Sequence, residues 1–143
     1  MARLLDLGVE AFLITATVEA IVGQRLVRRI CPRCKEEFTP TAEMLMELEL
    51  TPEDVEGRSF HRGAGCDYCR GTGYAGRLAI FEIMVLDEPV REMIMKQGST
   101  NSLREAARKR GMRTLREAGL LAIYDSVTTI EEVVSQTVVE VLD

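Results

Sequence analysis

Residues 31–34 read CPRC and residues 66–69 read CDYC, and these two Cys-x2-Cys steps hold all four cysteines of the chain. Such thiols can be metal ligands, disulfide partners or a redox dithiol, and the choice decides what kind of fold surrounds them. In a Cys-x2-Cys turn the two sulfurs converge from one tight reversal. Two such turns brought together make the tetrahedral all-sulfur set that zinc accepts. The loop between the pairs, residues 35–65, is longer than the about fifteen to twenty residues of a common ribbon. Doubling a loop costs only about 0.6 kcal/mol, whereas structural zinc supplies roughly 10 to 16 kcal/mol, so the spacing is no obstacle.

A structural zinc site at Cys31, Cys34, Cys66 and Cys69 is therefore the leading reading. Iron in a rubredoxin-like four-cysteine site is the main rival among metals, but that arrangement is rich in aromatic residues and this chain has only 5%. A redox dithiol fits poorly, because neither pair opens a helix within a βαβ unit. Four sulfur donors leave no coordination position for water or substrate, so the site holds structure and does not catalyse. His61, the only histidine, reads as a surface imidazole, and Asp67 and Tyr68 as knuckle surface.

The glycines beside the second pair support a metal. Gly63, Gly65, Gly71, Gly73 and Gly76 mean tight backbone reversals whose amides can point at thiolate sulfur. Upstream, the apolar positions of Val9–Arg29 fall nearly all round a helical wheel, which predicts a helix buried on several sides by a body that nothing before it supplies. Pro32 forbids its easy continuation. Short helical turns are expected over Ala42–Leu50 behind Thr41 and again after Thr51-Pro52. Downstream, Arg77–Val85 alternates and is rich in β-formers, predicting a strand. Helices are expected over Glu88–Gln97, Thr100–Arg110 and Thr114–Tyr124, and a last one from Thr128 or Thr129, each with Glu three positions on. The fold class is α+β, mostly helical.

Charge and composition narrow the function. The 143 residues are 46% hydrophobic and 29% charged, with 18 basic against 23 acidic residues and a formal charge of −5. No global attraction to nucleic acid or anionic membrane follows. Arg3, Asp6 and Glu10 spoil a signal peptide, and the run Ala11–Gly23 contains Glu19 and is too short to span a bilayer. A cytoplasmic location is the expectation, and there disulfides are the weak reading. No Gly-x4-Gly-Lys-Ser/Thr occurs, so this chain alone cannot cradle a triphosphate and is not expected to be catalytic. The run Gly71–Gly76 precedes a strand where a nucleotide loop would follow one, and is read as a turn. Two arginine clusters, Arg25 to Lys35 and Arg104 to Arg116, are interspersed with Glu36, Glu37, Glu105 and Glu117 and read as solvated faces. The alternative function is a free-standing zinc-ribbon protein binding nucleic acid through these clusters.

Three stretches in order carry a family likeness: LLDLGVEAFLITATVEAIVGQRLVRRICPRCKEEF from Leu4, GCDYCRGTGYAGRLAIFEIMVLDEPVREMI from Gly65, and LREAARKRGMRTLREAGLLAIYDSVTTIEEVV from Leu103. Together they resemble the C-terminal end of the secretion ATPases that drive type II secretion and type IV pilus assembly. The resemblance implies a hexameric ring of RecA-like P-loop motor domains that hydrolyses ATP with magnesium, with a tetracysteine zinc module projecting from each. It implies inner-membrane platform and assembly proteins as partners, peripheral membrane association through them, and no nucleic acid.

Carried onto this sequence, residues 1–29 become the closing helix of the motor core and residues 30–76 the zinc module ligated by the four cysteines. Residues 77–143 become a returning strand and a C-terminal helical region. Arg25, within Gln24-Arg25-Leu26, resembles a recurrent motor position that faces nucleotide in the intact protein. The family's nucleotide-binding motifs and its acidic and histidine boxes have no counterpart here, and Ala11 stands where the family usually has proline. The resemblance thus implies an excised fragment or a truncated gene product.

Overall fold

The apolar run after Glu10 makes a short helix and then a strand. The computed structural model describes residues 2–137. After a first helix α1 (Ala2–Asp6) comes α2 (Ala11–Thr17), and the chain then extends as β1 (Ala20–Ile30). The single helix expected over Val9–Arg29 is thereby corrected. Val18, Ile21, Val22, Val27 and Ile30 are β-branched and lose side-chain freedom against a preceding helical turn, while they suit a pleated strand. The apolar positions that would not fit one helical face belonged to a strand. β1 pairs with β4 (Tyr74–Val85) in a two-stranded sheet. The strand expected over Arg77–Val85 is thus present and begins three residues earlier.

Contacts divide the described residues into two units, the segment up to residue 23 with 82–114 and residues 24–81 with the segment from 115 onward. In the first, α4 (Glu88–Met95) packs on α2 and on α5 (Thr100–Lys109). Leu86, Val90, Ile94 and Leu103 form its buried cluster, with Ala11, Val18, Ile21, Met84 and Met93 against them. α4 and α5 start where the sequence says they should. Asp87 accepts from the Val90 amide at 3.3 Å and Ser99 from the Ser102 amide at 3.2 Å, satisfying donors that the first helical turn leaves orphaned.

The second unit carries β2 (Lys35–Phe38) and β3 (Phe60–Gly63), paired antiparallel in the register Lys35↔Gly63 to Phe38↔Phe60. Neither short strand is expected from sequence, because four residues give too little alternation to read. Between them lie α3 (Ala42–Glu47), capped by Thr41, and one turn of 3-10 helix (Glu53–Val55). Two further helices, α6 (Leu115–Tyr124) and α7 (Ile130–Gln136), complete it. The core joins Leu45, Leu48, Phe60, Ile123, Ile130 and Val133. Between the two candidate caps of α7 the structure chooses Thr129, which accepts from the Glu132 amide at 3.3 Å. Thr128 instead donates to the Arg28 carbonyl at 2.8 Å. Glu132 does not reach back to its own cap. It takes the Arg28 amide at 2.6 Å and the Arg28 Nε at 2.8 Å.

Candidate metal centre

The first cysteine turn leaves the end of β1. There the Ile30 amide is held by the Val127 carbonyl at 2.8 Å and the Cys31 amide by the Gly73 carbonyl at 2.9 Å. Pro32 ends the strand, and β2 starts directly after Cys34. The second turn follows β3, whose pairing is extended by a bond from the Ala64 amide to the Cys34 carbonyl at 2.9 Å. The 66–69 turn is then closed by the Gly71 amide on the Cys66 carbonyl at 2.9 Å and by the Thr72 hydroxyl on the Cys69 carbonyl at 2.7 Å. The β2–β3 pair thus carries the two knuckles toward each other.

Glycine makes the approach possible at one place above all. A Cβ on Gly63 would stand 2.0 Å from the Gly73 carbonyl oxygen, and one on Gly73 2.5 Å from the Gly63 carbonyl oxygen. Gly73 also has φ +77°, a conformation that side-chain-bearing residues rarely adopt. Two backbones therefore touch with nothing between them, and Gly73 uses both of its peptide groups on the cysteines. Its carbonyl holds the Cys31 amide and its own amide donates to Cys69 Sγ at 3.2 Å. The glycine-rich composition signals this contact, but sequence alone does not say which two glycines meet.

The four sulfurs lie within 4.8 Å of one another. Cys31–Cys66 is 3.9 Å, Cys34–Cys69 3.8 Å and Cys66–Cys69 3.7 Å. A tetrahedral ion with zinc–sulfur bonds of about 2.3 Å requires sulfur–sulfur edges of about 3.8 Å. The spacing therefore fits an ion at the centre, and it is far too long for disulfides, in keeping with four free cysteines. Cys31 and Cys69 are buried, at 0% and 6% exposed, while Cys34 and Cys66 are half-buried.

Electrostatics divide the sulfurs. Burial disfavours the Cys69 thiolate, but the amides of Cys66 and Gly73, with Cys66 and Cys34 as neighbours, prevail and bring its thiol down to about 6. For Cys34, burial and the other three sulfurs outweigh the Gly65 amide and push it up to about 12. A cation held at the centre would favour the thiolate form of all four sulfurs.

Around this centre Arg33 lies over the Tyr68 ring at 4.1 Å, joining the tips of the two knuckles. Asp67 and Tyr68 are exposed, as expected of knuckle surface. His61 stays outside the sulfur cluster, but it is half-buried, with Nδ1 2.8 Å from the Ser126 hydroxyl, so the simple surface imidazole is corrected by a partner 65 residues away. Arg25 is exposed on β1 and donates to the Gln24 carbonyl at 3.0 Å. Among the described residues no helix is long and apolar enough to cross a membrane.

Comparison with known proteins adds to this geometry. The profile of a family described as Type II/IV secretion system protein matches residues 1–135. The type IV pilus assembly ATPase PilB of Thermus thermophilus is 43% identical over 138 residues, which is 96% of this chain and 16% of that protein. The PilB of Myxococcus xanthus is 37% identical across 96% of this chain and 24% of its own length. The type II secretion system protein HxcR of Pseudomonas aeruginosa is 36% identical across 96% of this chain and 25% of its own. The chain thus spans a quarter or less of each of these relatives.

Proposed function

The chain belongs to the type II/IV secretion system protein family, and on that premise we propose that it forms the zinc-carrying, C-terminal part of a RecA-like motor ATPase. The motor powers type IV pilus assembly or type II protein secretion as a homo-hexamer on the cytoplasmic side of the inner membrane. The observation that carries this reading is the set of four sulfurs at tetrahedral spacing in a chain matched by the family over residues 1–135.

Cys31, Cys34, Cys66 and Cys69 would hold the zinc. When bound, the ion supplies cross-linking and charge neutralisation, and four sulfur ligands leave it no open position for chemistry. The chain's own residues do the rest. Gly73 fixes Cys31 and Cys69 through its two peptide groups, the Gly65 amide steadies Cys34, and Arg33 on Tyr68 closes the knuckle tips. The result is a rigid lobe fit for contact with an inner-membrane platform protein or a neighbouring subunit. ATP and magnesium bind in the remainder of the longer protein, and Arg25, exposed on β1, is the residue of this chain that the family likeness assigns to nucleotide.

The test uses the full-length protein. Replacing residues 30–76 by a short linker should abolish pull-down of the membrane platform protein while leaving nucleotide binding in place. Undiminished capture would refute the docking role. Elemental analysis of this chain separates zinc from a coloured iron site.

A further inference from the structure

The amide hydrogen bonds to sulfur are unevenly shared. Cys69 Sγ receives the amides of Cys66 and Gly73, both at 3.2 Å, and Cys34 Sγ that of Gly65 at 3.3 Å. Among the described residues no backbone amide reaches the sulfur of Cys31 or Cys66. A hydrogen bond to a charged sulfur stabilises that charge and lowers its nucleophilicity. Cys31 is fully buried, and Cys66 is half-buried. Among the four cysteines only Cys66 is a partly exposed residue whose sulfur no backbone amide restrains.

We propose that Cys66 is a modification site, the sulfur through which soft electrophiles, and hydroperoxides among them, enter the cluster. This rests on the zinc reading above. The Cys66 thiolate attacks one peroxide oxygen, the O–O bond breaks, and the sulfur becomes a sulfenic acid as the other oxygen leaves as hydroxide. The Cys69 thiolate, 3.7 Å away, then displaces a second hydroxide and forms a disulfide. Two thiolates have lost two electrons, the peroxide has gained them, and the ion has lost two of its four ligands.

The experiment treats the metal-loaded chain with less than one equivalent of N-ethylmaleimide, and in parallel with hydrogen peroxide, after elemental analysis of the same sample. Adducts are mapped by peptide mass spectrometry and metal release is followed with a chromophoric chelator. Maleimide should label Cys66 at least about tenfold faster than Cys34, the rate equivalent of one amide hydrogen bond to a charged sulfur. Peroxide should give a Cys66–Cys69 disulfide in step with metal release. First labelling at Cys34 or Cys69, or equal labelling of all four in a sample with one ion per chain, overturns the proposal alone. A folded sample with no metal overturns the zinc reading and the proposal with it.

Discussion

The two units of this chain keep their shape by different means. In the first, Leu86, Val90, Ile94 and Leu103 bury one another, and the helices that carry the last three start at ordinary caps. In the second a comparable apolar cluster exists, but the cysteine turns above it are held by backbone on backbone, at Gly63 and Gly73, and by amides aimed at sulfur. A side-chain cluster yields in proportion to the atoms removed. A backbone contact with no room for one carbon does not yield gradually, and that difference can be tested.

The largest effect should come from Gly63→Ala. Its methyl would meet Gly73 backbone atoms at 2.0 and 2.6 Å, so the Gly73 carbonyl that holds the Cys31 amide must move. Metal affinity should fall about a hundredfold, the upper range for a lost supporting contact, as read by competition with a chromophoric chelator. Gly23→Ala is the control, since its nearest neighbours stand at 3.8 Å without a positive φ, and it should leave affinity unchanged.

Next comes Ile94→Ala in the first unit. Ile94 is 2% exposed, and truncation should cost about 2 to 5 kcal/mol in urea unfolding while metal affinity stays put. A parallel loss of metal would break the distinction between the units.

Arg28→Ala should cost less, about 2 kcal/mol. It strands the Glu132 carboxylate, whose side chain is 7% exposed, but Arg28 itself is 52% exposed and its charge is screened. Burial opposes charge on Glu132, yet the bonds from the Arg28 side chain and amide win and hold its pKa below the ordinary 4.5. The stabilisation is thus complete above the unfolded value and disappears as pH falls through the lower folded one. The gap between parent and variant in denaturant midpoints should therefore narrow on acidification. The smallest effect is expected of Tyr68→Ala, about 0.5 to 1 kcal/mol for an exposed cation–π pair, read as a slight drop in thermal midpoint with metal retained.

The sequence announced the site better than the fold. Two Cys-x2-Cys steps and a run of glycines have few physical uses, and the four sulfurs do converge. The caps at Asp87, Ser99 and Thr129 were legible for the same reason, because a short polar side chain before an apolar run answers a local need. The segment after Thr17 was not. Its β-branched residues read as a crowded helix because the strand that pairs with them, β4, begins only at Tyr74, far along the chain from the end of β1 at Ile30. Likewise the Ser126 partner of His61 and the Arg28 partner of Glu132 are tertiary facts with no local signal.

The central claim is that one ion sits among the four sulfurs and that the second unit depends on it. Hydrogen exchange of the chain with and without a strong chelator, alongside elemental analysis, tests this directly. The account predicts one zinc per chain, and on its removal a loss of amide protection across residues 30–76 with protection of α4 and α5 retained. A metal-free chain with protection across residues 30–76 intact would contradict it.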